Sequence, residues 1–179
     1  MFDVFDNASV SAFIGAFSAF LLVVITDRRR LYRRRSILKN VISDNGELAR
    51  FKLDSVERNL KLVAQGQISD APIMAFPTSA VQGLQFEVVD VLDANQNQGV
   101  SVLLYWMSSI DAQIKTAEEK AAKVKTLQLR EPESKEKLIL FQEYREILEE
   151  SAKNLEHLNI LIQHYVSGRP EKIQEFSHE

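Results

Sequence analysis

Hydrophobic positions along the chain recur three and four apart over most of its length, the spacing of helices with one buried stripe. The first block is different: ASVSAFIGAFSAFLLVVIT (Ala8 to Thr26) is apolar on all sides and carries no charge over 19 residues. Beyond it the helical spacing resumes with Leu38, Ile42, Leu48, Val56, Leu60 and Val63. No proline interrupts the chain between Ala8 and Gln65, so one continuous helix is expected there, with a break at Ser43-Asp44-Asn45-Gly46 as the alternative because those residues favour turns and caps. Gly66 ends this helix, and Gly66 to Pro77, with two prolines, reads as a loop pressed against the domain through Ile68, Ile73, Met74 and Phe76.

Thr78 is a good N-cap for a second helix from Ser79 to about Asp93. Its content of β-branched residues leaves a strand over Phe86 to Leu92 as the lesser alternative. Asn95-Gln96-Asn97-Gln98-Gly99 reads as a polar turn. A third segment, Val100 to about Leu129, places Leu103, Trp106, Ile110, Ile114, Ala117, Ala121, Val124 and Leu127 on one stripe, with Trp106 expected in the core. Arg130-Glu131-Pro132 breaks it. The last helix, Glu133 to about Ser167, aligns Leu138, Phe141, Leu148, Ala152, Leu155, Ile162 and Val166, and Gly168 followed by Pro170 stops it. Two long helices joined by a short turn form an antiparallel hairpin. In the frame set by Leu138 and Phe141, Arg145 and Asn159 fall on the seam, which favours a globular bundle over a long coiled coil.

The uncharged first block has the length of a membrane-spanning helix, about 20 apolar residues. A secretory signal would carry positive charge before its apolar run; here that flank is acidic and the arginines follow. The expected organisation is a short extracytoplasmic head over residues 1–7, a transmembrane helix over 8–26, a basic juxtamembrane segment over 27–39, a helical bundle over 40–168 and a C-terminal tail over 169–179. The fold class is all-α. Arginine-rich flanks stay on the cytoplasmic side, so the N-terminus is expected outside and the bundle in the cytoplasm.

Charge sharpens this division. Residues 1–27 carry −3, residues 28–39 carry +7 and residues 40–179 carry −7. The basic charge is thus local. Arg28, Arg29, Arg30, Arg33, Arg34 and Arg35 fit a stop-transfer signal in contact with anionic lipid headgroups, and a nucleic-acid patch carries less weight beside a membrane and an acidic domain. Within the apolar block Ser11, Gly15 and Ala19 recur every four residues, a stripe suited to packing against another transmembrane helix, from a partner or a second copy.

Composition narrows the chemistry. The chain has no cysteine, which excludes disulfides and thiol catalysis. No phosphate-binding loop, dinucleotide fingerprint, zinc-protease motif or serine-nucleophile motif occurs. His157 and His164 share a helix face but lack the further ligands a metal needs, and the one Glu-x-x-His, Glu175 to His178, lies in the tail. Carboxylates such as Glu119 and Glu149 pair in sequence with Lys123 and Lys153 as helix-stabilising i, i+4 partners. No cofactor and no enzyme activity are expected. The expected function is that of a membrane-anchored interaction or scaffold protein, an accessory subunit of a larger membrane assembly. The alternative is a homo-oligomeric effector whose anchors associate to perturb the bilayer.

Overall fold

The computed structural model describes residues 7–69, 71–131 and 133–175, with side chains from Phe13 to Ile173. It is all-helical, as expected. Helix α1 runs without interruption from Asn7 to Ala64, 58 residues or about 87 Å at 1.5 Å per residue. Helix α2 (Thr78–Val88) leads through a 3-10 turn (Val89–Val91) to α3 (Ala94–Arg130), followed by α4 (Lys135–Val166) and the short α5 (Glu171–Glu175). The hairpin α3–α4 is antiparallel: Gly99 lies against Tyr165 at one end, Gln113 bonds Asn154 midway, and Lys120 pairs with Glu143 near the other end. The distal part of α1 lies along α4, and α2 closes over α1 and α3.

The buried stripes follow a strict alternation of three and four. On α1 they are Leu38, Ile42, Asn45, Ala49, Lys52, Val56, Asn59 and Val63; on α3, Val100, Leu103, Met107, Ile110, Ile114, Ala117, Ala121 and Val124. On α4 the same alternation runs through Tyr144, Leu148, Ser151, Leu155, Leu158, Ile162 and Tyr165. Three helices thus share a heptad-spaced core. The α4 frame is displaced from the one that begins at Leu138 and Phe141: Leu138 is exposed, and Arg145 lies outside the seam. Its frame is set by two facing helices at once, which a single amphipathic stripe does not reveal.

Helix ends obey local chemistry. Gly66 and Gly168 adopt φ of 75° and 79°. Each closes a Schellman motif, with Gln67 N–H bonding the Leu62 carbonyl and Arg169 N–H the His164 carbonyl, both at 2.9 Å. Asp93 caps α3, accepting from Gln96 N–H at 2.8 Å while the Gln96 side chain accepts from Asp93 N–H. This capping box overrides the turn expected at Asn95–Gly99, which instead forms the first turns of α3. Gly99 there lets Tyr165 and Ile173 approach: a Cβ would meet them at 3.3 and 3.2 Å. The break considered at Ser43–Gly46 does not occur, because Asn45 turns its amide back onto the Val41 carbonyl at 2.8 Å and Gly46 fits beneath Ile162. Thr78 is the first residue of α2 and makes no side-chain cap. Residues 171–175, expected as tail, form α5 and bury Ile173 completely.

The expected transmembrane span finds no support in the described residues. Among the described residues no helix is long and apolar enough to cross a membrane. Ala8 to Ala12 lie outside the described side chains, and from Phe13 the apolar run reaches only Thr26 before Asp27 and the arginines. The expected head over residues 1–7 and the Glu175–His178 pair also lie outside the described residues or side chains.

Candidate functional site

The first described third of α1 stands clear of the bundle. Phe13, Ile14, Phe17, Phe20, Leu21, Leu22, Val23 and Ile25 are between 41% and 71% exposed. They occupy all faces of the helix, so no rotation of it could hide them from water. Of the expected small-residue stripe, Ser11 lies outside the described side chains, while Gly15 and Ala19 are exposed. No atom lies within 4 Å of a Cβ built on Gly15.

The arginine cluster divides in two. Arg28, Arg29, Arg30 and Arg33 are exposed. Arg34 pairs with Glu87 of α2, and Arg35 donates to the Val91 carbonyl at 3.4 Å. The last two therefore help dock α1 onto the end of α2, and the expected headgroup contacts reduce to the first four.

A second constellation surrounds Lys52, which is fully enclosed. Its ammonium pairs with Asp111 Oδ1 on α3 and sits 3.9 Å from the centre of the Phe76 ring. Asp111 Oδ2 accepts from Phe76 N–H at 2.8 Å. Burial pulls the Lys52 pKa down, and the hydrogen bond and charge of Asp111 oppose that pull. The same residues hold down the segment 67–77. Ile73 N–H donates to Glu118 at 3.0 Å, and Lys125 donates to the Ser69 carbonyl at 2.9 Å. Under this strap lies a mostly apolar pocket of about 210 Å³, floored by Ala117, Ala121 and Leu148 and bordered by Glu118 and Tyr144. The alanines leave the space that larger side chains would fill. Phe76 is buried as expected of a pressed-down loop, but Met74 is exposed.

No family model, no curated protein and no solved structure matches this chain.

The remaining sequence candidates serve packing. Trp106 is half-buried, not enclosed, with its ring 4.8 Å from that of His157. His157 Nε2 is buried without a hydrogen-bond partner. Glu149 bonds Arg145 at 2.8 Å, the i, i+4 partner before it on the helix. Sequence reasoning passed over Lys52, Asp111 and Gln85. Gln85 is buried and its amide donates to Asn97 Oδ1 at 2.7 Å and Ser101 Oγ at 3.0 Å, fixing α2 on α3. Asn45 Oδ1 is also buried with no partner. Asn45→Leu, which removes that orphaned oxygen, should therefore stabilise the protein by about 1 kcal/mol, read as a rise in thermal midpoint of about 2–4 °C. A fall would show that the oxygen is satisfied by solvent.

Proposed function

We propose that this chain is a membrane-anchored helical scaffold, an accessory subunit that presents its bundle from the cytoplasmic face of a bilayer. The observation that carries the reading is the exposed apolar end of α1. A helix apolar on all faces belongs in a core or in lipid, and among the described residues no core receives it. Covering eight such side chains is favourable by on the order of 10 kcal/mol. The proposed anchor comprises Ala8 to Thr26, the arginines that follow it favour the inner leaflet, and anionic headgroups suit Arg28, Arg29, Arg30 and Arg33. Partners on this reading are membrane lipids and another membrane protein.

Flotation with liposomes tests the anchor. The full chain should float with neutral vesicles, and a variant with Phe17, Phe20, Leu22 and Val23 changed to Ser should stay in the soluble fraction. Equal flotation of both would remove the anchor from the reading. Protease added to sealed spheroplasts should spare residues 40–179, and their digestion would reverse the orientation. The open space at Gly15 favours a second reading, close packing of anchors between copies. A mild-detergent pull-down separates the two: a defined heteromeric complex supports the scaffold, and a lone homo-oligomer, broken by Gly15→Leu, supports the effector.

A further inference from the structure

Where α1 enters the bundle, a cleft of about 350 Å³ opens between α1, the start of α3 and the turn after α4. Its lining is cationic in a domain that is otherwise acidic. Arg35 and Lys39 are one helical turn apart on α1, with Tyr32 and Ser36 beside them; Gln96 contributes from α3 and Tyr165 from α4. Among the described residues no carboxylate lines it. The nearby acid, Asp93, is engaged as the α3 cap, bonding Gln96 N–H. That capping box also uses Gln96 Oε1 as the acceptor for Asp93 N–H, which leaves the amide's two N–H donors for the cleft. Arg35 spends one long bond, 3.4 Å, on the Val91 carbonyl, and a guanidinium has five donors.

We infer that this cleft binds a phosphomonoester, with Arg35 and Lys39 balancing its two charges and Ser36, Gln96 and the tyrosine hydroxyls meeting its oxygens. Two fixed cations with several neutral donors match a compact dianion with strong acceptor oxygens, whereas a carboxylate would leave one cation unmatched. Position bears on the source. Arg35 lies nine residues past Thr26, about 14 Å along the helix, and headgroups extend only about 5–7 Å beyond the hydrocarbon on each side. A phosphodiester at the bilayer surface falls short of the cleft. A soluble phosphomonoester, or a terminal phosphate borne on an extended lipid headgroup, reaches it.

The test uses the full chain in detergent micelles, titrated calorimetrically with glycerol 3-phosphate and with water-soluble inositol phosphates. Binding is expected, and Arg35→Gln with Lys39→Gln should weaken it at least about tenfold. Arg35→Lys with Lys39→Arg should restore most of it. Lys39→Gln alone, at an exposed position outside the core, should also weaken it, which keeps the test valid if the double variant melts early. Arg28→Gln with Arg29→Gln and Arg30→Gln should leave it unchanged. Equal loss in that triple variant, or no binding of any phosphomonoester at millimolar concentration, overturns the site. Vesicles carrying a lipid with an extended, terminally phosphorylated headgroup distinguish the sources: added retention over neutral vesicles assigns the phosphate to lipid, and unchanged retention alongside micellar binding assigns it to a soluble ligand. Flotation with neutral vesicles reports on the anchor independently of this cleft.

Discussion

Asp111→Ala is expected to destabilise the bundle by about 3–5 kcal/mol, while Lys52→Met costs little or adds stability. The asymmetry arises from where each charge sits. Lys52 has no exposed side-chain surface, whereas the Asp111 side chain is 21% exposed. Removing Asp111 leaves the enclosed ammonium against the Phe76 ring without its hydrogen-bonded counter-ion, and it also strips the acceptor from Phe76 N–H. Removing Lys52 leaves a carboxylate that keeps Phe76 N–H and reaches water. Methionine, unbranched and of similar length, fills the lysine's channel. Urea unfolding followed by circular dichroism measures both variants. Equal losses from the two would show that Lys52 reaches solvent. The Asp111 variant should also open the strap over the neighbouring pocket, seen as faster amide exchange at Ile73 and Phe76 than elsewhere in the bundle.

Raising the pH above 10 should remove a further part of the stability. Burial of Tyr165 pushes its pKa from 10.0 up to about 12, with Arg35 opposing and Asp93 adding to the rise. Tyr144 moves in the same direction, chiefly by burial. Between pH 10 and about 12 the native state keeps a Tyr165 proton that the unfolded chain releases. Stability from this source is therefore whole below pH 10 and falls as pH rises through 12. A shift of that size corresponds to on the order of 3 kcal/mol. Lys52 acts with the opposite sign. Its lowered pKa means that the unfolded chain holds more protons just below 10.5, so stability from that group grows as pH climbs towards 10.5. The two slopes are thus opposite in sign, and above pH 10.5 the fall from the tyrosine remains. Tyr165→Phe should flatten the fall in alkaline urea melts, and an unchanged slope would assign the loss to other groups.

The helices were legible from spacing alone because each buries one stripe, and both Schellman glycines were legible as helix ends. Lys52 was not, because a lysine on an amphipathic helix ordinarily marks the wet face. The signal was nonetheless present. The grid Leu38, Ile42, Ala49, Val56 and Val63 has gaps at Asn45, Lys52 and Asn59, a polar residue at every seventh position. Only the facing Asp111 explains why a charge fits there, and pairing across helices leaves no mark in local spacing. The capping box shows the reverse error. Asp93 and Gln96 carried a readable start signal, and the run of asparagine and glutamine after them outweighed it. The arginine cluster read as one unit, while the contacts of Arg34 with α2 and of Arg35 with the 3-10 turn after it split the cluster.

The uninterrupted course of α1 makes it a lever. From Arg28 to Ala64 it contains no proline, and its one glycine there, Gly46, is wedged against Ile162, so nothing along that stretch absorbs a bend. From Arg28 to Ala64 the arm measures about 55 Å. On the membrane reading, a change in anchor tilt of about 10°, as bilayers of different thickness impose, swings the far end of the bundle by about 10 Å. The angle of the segment from Arg28 to Ala64 to the bilayer normal, measured in thin and thick membranes, would expose a hinge if it failed to change. Without a hinge, bilayer thickness itself becomes an input that the distal end of the hairpin reports as position.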